Sequence, residues 1–113
     1  MIAKFEDILS WQQAQDLIDI VYQTFGKSRD FWFRDQITRA AISVSNNIAE
    51  WFERKTNNEF RQFLYIAKWS CGEVRSMLYF AKRHEYCSGA DFEKMYVLSV
   101  SISSLLSKLI QSL

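Results

Sequence analysis

Four basic residues at seven-residue intervals are the clearest chemical signal in this chain of 113 residues. An α-helix rises roughly 1.5 Å per residue, so this spacing stacks the side chains in one column about 10 Å apart. We call this set the basic column; it consists of Arg61, Lys68, Arg75 and Lys82. Such a column can contact phosphates and release their counterions, which makes binding sensitive to salt. It can also face solvent, or pair with acidic residues of a neighbouring subunit. The sequence leaves these alternatives open.

The distribution of charge is informative, although the net charge is only +1. Residues 27–83 hold eleven Lys and Arg against six Asp and Glu, a local balance of +5, and the flanks hold three against seven, a balance of −4. A basic middle with acidic flanks fits either a polyanion-binding face or complementary surfaces between subunits. The candidate nucleic-acid-binding residues outside the column are Arg34, Arg39, Arg54 and Lys55.

Catalysis finds few suitable residues. The single histidine, His84, lies between Arg83 and Glu85 near a predicted helix end, where an imidazole usually serves as a solvated partner of the helix dipole. Di-iron bundles need Glu-x-x-His pairs, and neither Glu50 nor Glu53 has a histidine at that spacing. The sequence contains no nucleophile elbow, glycine-rich phosphate loop or Cys/His metal spacing. We therefore expect no enzymatic activity, cofactor, metal or small-molecule substrate.

The two cysteines, Cys71 and Cys87, lack the Cys-x-x-Cys spacing of redox motifs. Cys71 falls on an apolar stripe, so we expect a buried free thiol. The first residues carry acids where a signal peptide needs a basic and then an apolar run. No stretch approaches the roughly 20 apolar residues of a membrane span. These features predict a cytoplasmic protein without a membrane role.

The fold that must position these residues is predicted to be helical. The chain has no proline and three glycines, too few turn residues for a strand-rich fold. Apolar residues at alternating steps of three and four predict four long helices. Polar links near residues 27–30, 54–57 and 86–90 separate them. We predict an all-α, antiparallel up-down-up-down four-helix bundle that occupies residues 1–113 as one domain.

Capping signals predict the helix boundaries. Ser10 and Gln13 have the form of a capping box, with Leu9 placed to pack on Ala14, and Gly26 is expected to end the first helix in a left-handed conformation. The caps expected later are Ser28 or Asp30 for the second helix, a capping box over residues 56–59 for the third, and Ser88 or Asp91 for the fourth. The third helix should end at about His84 or Tyr86. Asn46 and Asn47 are costly within the second helix, so they either make specific contacts or mark a weak stretch.

The apolar stripes also predict the core. The first helix presents Trp11, Ala14, Ile18, Val21 and Phe25. The residues expected in the core are Ile18, Val21, Ile37, Val44, Ile48, Leu64, Ala67, Cys71, Val74, Leu78, Ile102 and Leu109. The third helix has further apolar residues outside its core stripe, namely Phe63, Ile66, Met77 and Phe80, with Tyr65, Trp69 and Tyr79 beyond them. This is more than one apolar face requires, so we expect a homo-oligomer.

Several sequence motifs resemble those of one known family. They are FEDI at residues 5–8, WQQA at 11–14, DQITRAAISV at 35–44, NIAE at 47–50, RKTNNEF at 54–60 and FLYIAK at 63–68. In this order they resemble the four-helix-bundle family of 23S rRNA intervening-sequence proteins, nearly from end to end. Some members of that family are encoded inside insertions within bacterial 23S rRNA genes.

The resemblance implies a small cytoplasmic bundle that assembles into a ring, a homopentamer, with no established enzymatic activity. A group similar in fold, the accessory proteins of diversity-generating retroelements, forms basic pentameric barrels that bind reverse transcriptase and nucleic acid. The chain departs from the family pattern at Trp32, Trp51 and Trp69, where glycine is expected, and at Ser45, where proline is usual. Divergence, engineering, or a gene in which UGA encodes glycine would each account for the three tryptophans.

Two hypotheses therefore follow from the sequence. The first is a homo-oligomeric accessory that binds RNA or a ribonucleoprotein through the basic column and the four other cations. The second is a self-assembling scaffold, or an adaptor for a protein partner, without a nucleic-acid role.

Overall fold

The computed structural model describes residues 2–54 and 61–113. A short 3-10 turn, Phe5–Asp7, precedes the helices. The four α-helices are α1 (Leu9–Phe25), α2 (Phe31–Glu53), α3 (Gln62–Arg83) and α4 (Gly89–Gln111). The described residues contain no β-strand. The predicted all-α four-helix fold is therefore confirmed.

Side-chain contacts give the helix directions. The Ser43 and Ser70 hydroxyls lie 2.9 Å apart, and the rings of Phe33 and Phe80 stack with centroids 5.7 Å apart. Residue numbers thus rise along α2 as they fall along α3. Between α3 and α4, Lys82 lies over the ring of Phe92 while Arg75 faces residues further along α4. These neighbouring helices run antiparallel, as expected from their short links.

The start of α1 differs from the prediction. The helix begins at Leu9, with Ile8 as its N-cap and no side-chain capping bond, and Ser10 lies inside the helix, buried. Leu9 is exposed rather than packed on Ala14. The backbone carbonyl of Ile8 accepts from the N–H of Gln12. The first residues of α1 are thus held by the burial of Ile8 and Ser10 rather than by a side-chain cap. The predicted capping box at Ser10 is wrong.

Gly26 ends α1, but not in the predicted left-handed conformation. Its φ is −59° and its ψ is −25°, which is right-handed. A Cβ at this position would lie 2.5 Å from the carbonyl oxygen of Tyr22, too close for any side chain without a shift. Glycine is therefore required here for close approach to the preceding turn, not for a positive φ.

The start of α2 and the turn between α3 and α4 are joined by one hydrogen bond. Asp30 is the N-cap of α2, as predicted, and its Oδ1 accepts from the N–H of Phe33 at 3.0 Å. Its Oδ2 accepts from the hydroxyl of Tyr86 at 2.6 Å. This bond, then the one from Phe33, lowers the pKa of Asp30, and it also raises the pKa of Tyr86. The contact ties two chain segments that are distant in sequence.

The end of α3 falls near the predicted position, with an unpredicted cap. The helix ends at Arg83, and Glu85 has a positive φ of 58°. The N–H of Tyr86 donates to the carbonyl of Ala81 and that of Glu85 to Lys82, the paired bonds of a Schellman motif. Glutamate occupies the position where glycine is usual, so the residue type did not predict this cap. Ser88 then caps α4 as predicted, accepting from the N–H of Asp91 at 3.1 Å.

The cost of asparagine within α2 is offset by specific contacts. The side-chain amide of Asn47 donates to the carbonyl and the hydroxyl of Ser43, at 2.8 and 3.0 Å. Ser43 in turn meets Ser70 of α3. The pair of serines and the asparagine form a polar bridge between α2 and α3, while Asn46 is exposed. The expected capping box over residues 56–59 lies outside the described residues.

The core matches most of the predicted set. Ten of its twelve residues are fully buried: Val21, Ile37, Val44, Ile48, Leu64, Ala67, Cys71, Val74, Leu78 and Ile102. Ile18 and Leu109 are only half-buried against the core, and Leu17 takes the fully buried position on α1. Leu17 and Ile18 are adjacent and both apolar, so periodicity alone could not fix the rotation of α1. Trp11, predicted on the same apolar stripe as Ile18, is likewise only half-buried, because α1 is rotated to bury Leu17.

None of the helices in the described part of the chain combines the length and the apolar character that crossing a membrane requires.

Replacing Leu64 with alanine should lower the free energy of unfolding by about 2–5 kcal/mol, because the side chain is fully buried and its removal leaves a cavity. Leu9→Ala is the matched control: Leu9 is exposed, so its loss should change stability by less than about 0.5 kcal/mol. Urea denaturation measures both. Equal losses in the two variants would show that the core has been placed on the wrong face of α3.

The bond between Tyr86 and Asp30 predicts a pH dependence. The lowered pKa of Asp30 means that its contribution to stability is present above the unfolded carboxyl pKa, roughly 4, and is lost as pH falls through the folded value. The raised pKa of Tyr86 means that its contribution is present below roughly 10 and is lost as pH rises through the folded value. Tyr86→Phe should therefore lower the free energy of unfolding most between these limits.

Urea titrations of wild type and Tyr86→Phe across a pH series test this, with the difference between them shrinking at both extremes. Tyr22→Phe is the control, because Tyr22 is exposed and makes no hydrogen bond to another described residue through its hydroxyl. A difference that stays constant from acid to alkaline pH would refute the charge-assisted character of the bond.

Candidate nucleic-acid interface

The basic column lies along the boundary between α3 and α4. Arg61, Lys68 and Arg75 are half-buried, and Lys82 is exposed. The Nζ of Lys82 lies 4.6 Å from the centroid of the Phe92 ring on α4. A seven-residue repeat drifts by only about 20° per heptad around a straight helix, so all four cations stay on the same flank of α3. The sequence did not predict that this flank would be partly covered by α4.

Arg75 lies in the groove between these two helices. The groove has a volume of about 360 Å³ and is lined by Arg75, Val100, Ser103, Ser104 and Ser107. We call it the Arg75 groove. Ser103 and Ser107 are half-buried and Ser104 is exposed. These serines are not among the candidate binding residues predicted from the sequence, although their three- and four-residue spacing indicates that they share a face of α4.

The basic column has no acidic partner in the described part of the chain. The two ion pairs found there are Arg34 with Asp35 at 3.1 Å and Arg54 with Glu50 at 2.9 Å. The Nε of Arg61 is buried, and no hydrogen-bond acceptor among the described residues reaches it. Within α3, four basic residues stand against one acid, Glu73, so the helix has a local balance of +3. Among residues 2–54 and 61–113, the positive charge along this flank therefore has no ion-pair partner.

The other candidate cations lie away from the column. Arg34 packs its guanidinium over the ring of Phe31 at 4.7 Å, besides pairing with Asp35. Arg39 lines a shallow depression along α2 with Asp35, Ser43 and Asn46. Because the Ser43–Ser70 contact places α2 on the opposite flank of α3 from the column, the arginines of α2 do not extend it. Lys55 lies outside the described residues.

Exposed aromatic residues lie on the outer face of α3, beside the column. Tyr65 is 41% exposed and Tyr79 is 51% exposed. The ring of Tyr79 also contacts the rings of Phe92 and Tyr96, at 5.4 and 5.8 Å between centroids. Trp69 lies between the two tyrosines along the helix and is 67% exposed. Aromatic rings next to cations are suited to stacking unpaired bases, and equally to packing against another protein.

The three tryptophans at expected glycine positions differ in environment. Trp51 is buried at the end of α2, beside the ring of Phe52. Trp32 and Trp69 are both 67% exposed. Two indoles therefore project from the outer faces of α2 and α3.

The residues that could support catalysis are held apart. The imidazole of His84 contacts the ring of Phe80 in a tilted arrangement, with centroids 4.3 Å apart, in an exposed position at the end of α3. The described residues contain no cluster of three or more histidines, cysteines or acids that could hold a metal ion. Both cysteines are free thiols, and Cys71 is buried as predicted. Burial raises the pKa of Cys71 to about 12, with a smaller opposing effect of Arg75, so this thiol is not a nucleophile near neutral pH.

Comparison with known proteins agrees with this geometry. A family model described as 23S rRNA-intervening sequence protein matches residues 6–108. A crystal structure of a protein of unknown function from the S23 ribosomal protein family, from Bacteroides thetaiotaomicron, matches with a TM-score of 0.78 and 24% sequence identity. The match covers 90% of this chain and 91% of that one, and it shows the fold. No curated protein matches the chain significantly in sequence.

The two thiols should differ in reactivity. A maleimide added to the native protein at about pH 8 should label Cys87, which is half-buried, and leave Cys71 unmodified until urea unfolds the core. Mass spectrometry of labelled peptides measures both. In Cys87→Ser, native labelling should disappear. Rapid labelling of Cys71 in that variant would contradict its burial.

Proposed function

The chain belongs to the 23S rRNA-intervening sequence protein family, and on that premise we propose that it is a non-enzymatic cytoplasmic accessory that assembles with copies of itself and binds RNA or a ribonucleoprotein. The basic column would provide the contact. The observation that carries the proposal is the uncompensated charge of the column, which has no acidic partner among the described residues.

An anionic partner explains this arrangement better than solvation alone does. Exposed lysines on a helix surface are well solvated, but Arg61, Lys68 and Arg75 are half-buried, so part of their hydration is lost on folding. A phosphate backbone supplies repeated negative charge along a line, which cations repeated about every 10 Å can contact at several points. Tyr65 and Tyr79 offer exposed rings beside that line.

Self-assembly is supported by a different observation, the aromatic outer face of α3. Tyr65, Trp69 and Tyr79 are all more than 40% exposed on one helix. Aromatic residues are enriched at protein interfaces, and contiguous exposed apolar surface marks interaction sites. The family resemblance implies a pentameric ring. Repetition of the basic column around a ring would strengthen RNA binding through multivalency, without any new kind of contact.

The second candidate function, a scaffold without a nucleic-acid role, rests on the same aromatic face. In that case the column would pair with acidic residues of a neighbouring copy or of a protein partner. The α1 segment carries Asp16 and Asp19, which belong to the acidic flank of the sequence. The two functions therefore differ in what neutralises the column.

Reversing two charges of the column tests the proposal. Lys68→Glu with Lys82→Glu should weaken binding of a single-stranded RNA by at least roughly tenfold and reduce its salt dependence, since about two phosphate contacts are lost. Fluorescence anisotropy at about 50 and 200 mM salt measures both effects. Light scattering on the same samples reports the mass of the assembly, which should stay above that of a monomer and should not change in the variant.

The matched control is Lys94→Glu with Lys108→Glu, which makes the same change in net charge at two exposed positions of α4. Its RNA affinity should stay within about twofold of wild type if the location of the charge matters more than its sum. Wild-type protein that binds no RNA at low salt would refute the RNA function. Dissociation of the Lys68/Lys82 variant into monomers would favour the scaffold.

A further inference from the structure

We propose that the Arg75 groove is a phosphate-binding site for single-stranded RNA, in which the Arg75 guanidinium and the hydroxyls of Ser103, Ser104 and Ser107 hold one backbone phosphate. This inference rests on the proposed function and specifies where on the column recognition occurs. It assigns a binding role to α4, for which the sequence predicted only core residues.

The position of Arg75 supports this assignment. Its side chain runs back over Gly72, so that a Cβ added at Gly72 would lie 3.8 Å from Nη2 of the guanidinium. The guanidinium is thereby held against the helix rather than extended into solvent, and it faces the groove shared with α4. No carboxylate among the described residues pairs with it. A half-buried cation held in place without a partner is suited to receive an anion.

The serine hydroxyls in the groove are available for bonding. Other serines of α4 use their hydroxyls internally: Ser99 donates to the carbonyl of Tyr96 at 2.8 Å, and Ser112 donates to that of Leu109 at 2.6 Å. The groove serines Ser103, Ser104 and Ser107 make no such bond to any residue that the structure describes. Their short side chains also leave open the volume of about 360 Å³ beside the guanidinium.

A phosphate matches this set of donors. The guanidinium presents two parallel N–H groups that can bind two phosphate oxygens at once. Serine hydroxyls on the opposite wall can donate to the same oxygens from the α4 side. Lys68 and Lys82 lie on the same column on either side of Arg75, about 10 Å away along the helix. A polymer with repeated phosphates can engage all three cations, whereas a single carboxylate can satisfy only one.

The surroundings favour a single strand. Tyr79 lies one turn after Arg75 and is 51% exposed, next to the half-buried Tyr96 of α4. A base adjoining the bound phosphate can stack on an exposed ring only when it is not already stacked within a duplex. Val100, which is 44% exposed, provides an apolar wall to the groove. We therefore expect an unstructured strand to bind more tightly than a duplex of the same length.

Two variants test the groove from opposite walls. Arg75→Gln removes the guanidinium charge, and Ser104→Glu places a carboxylate next to it at an exposed position. Each should weaken binding of an unstructured oligouridylate of about 20 nucleotides by roughly tenfold, because a charge-assisted contact is lost or pre-empted. The matched control is Gln23→Glu, which adds one carboxylate to an exposed site on α1 and should leave affinity within about twofold. Anisotropy gives the affinities, and circular dichroism melting confirms that each variant is folded.

The outcomes separate this inference from the proposed function. If wild-type protein binds no RNA, the proposed function fails and the groove with it. If wild type binds, and Lys68→Glu with Lys82→Glu weakens binding while Arg75→Gln and Ser104→Glu behave like Gln23→Glu, the groove is refuted and the function stands. If the two groove variants reduce the mass of the assembly and leave RNA affinity unchanged, the groove receives a carboxylate of a neighbouring copy, which also refutes it. A duplex that binds as tightly as the single strand would refute the strand preference.

Discussion

Burial of one face of α3 determines where every other side chain on that helix lies. Leu64, Cys71 and Leu78 are fully enclosed, and with the intervening buried residues they leave the helix no freedom to rotate about its axis. A rotation by a single residue, about 100°, would expose these side chains and bury charged ones. The basic column shares the seven-residue period of this buried face, so it must run parallel to the core along its edge. The position of the column beside α4 is thus a consequence of core packing.

In that position three cations of the column are half-buried, and no acid among the described residues pairs with them. The described ion pairs, Arg34–Asp35 and Arg54–Glu50, join residues close in sequence within α2 or at its end, and their side chains are at least one-third exposed, so such pairs add little stability. The column instead places Arg75 in a groove with hydroxyl groups, which can orient an anion but cannot neutralise the guanidinium. A partner that brings negative charge would gain most from this arrangement, and both proposed functions supply one. They differ in whether that charge is phosphate or carboxylate.

The sequence predicted the helices and most of the core because those features depend on periodicity, which is local information. It failed where two neighbouring residues were equally apolar, as with Leu17 and Ile18, since only packing against other helices can choose between them. It also failed at Glu85, whose positive φ is imposed by the turn into α4 rather than by glycine. The spacing of the column could be read directly, but its partial burial could not, because the serine-lined wall of the groove belongs to a helix some 30 residues further along the chain.

Trp69, on the proposed assembly face, and the Arg75 groove, in the proposed RNA contact, lie on different sides of α3. Trp69 precedes Arg75 by six residues, which places the two side chains about 120° apart around the helix at 100° per residue. Tyr65 lies on the same outer side as Trp69, whereas Arg75 turns toward α4. A neighbouring copy could therefore cover Trp69 while the Arg75 groove stays open. The groove itself includes none of the three tryptophans at expected glycine positions, so a glycine at position 69 would reshape the proposed assembly surface and leave the donors around Arg75 unchanged.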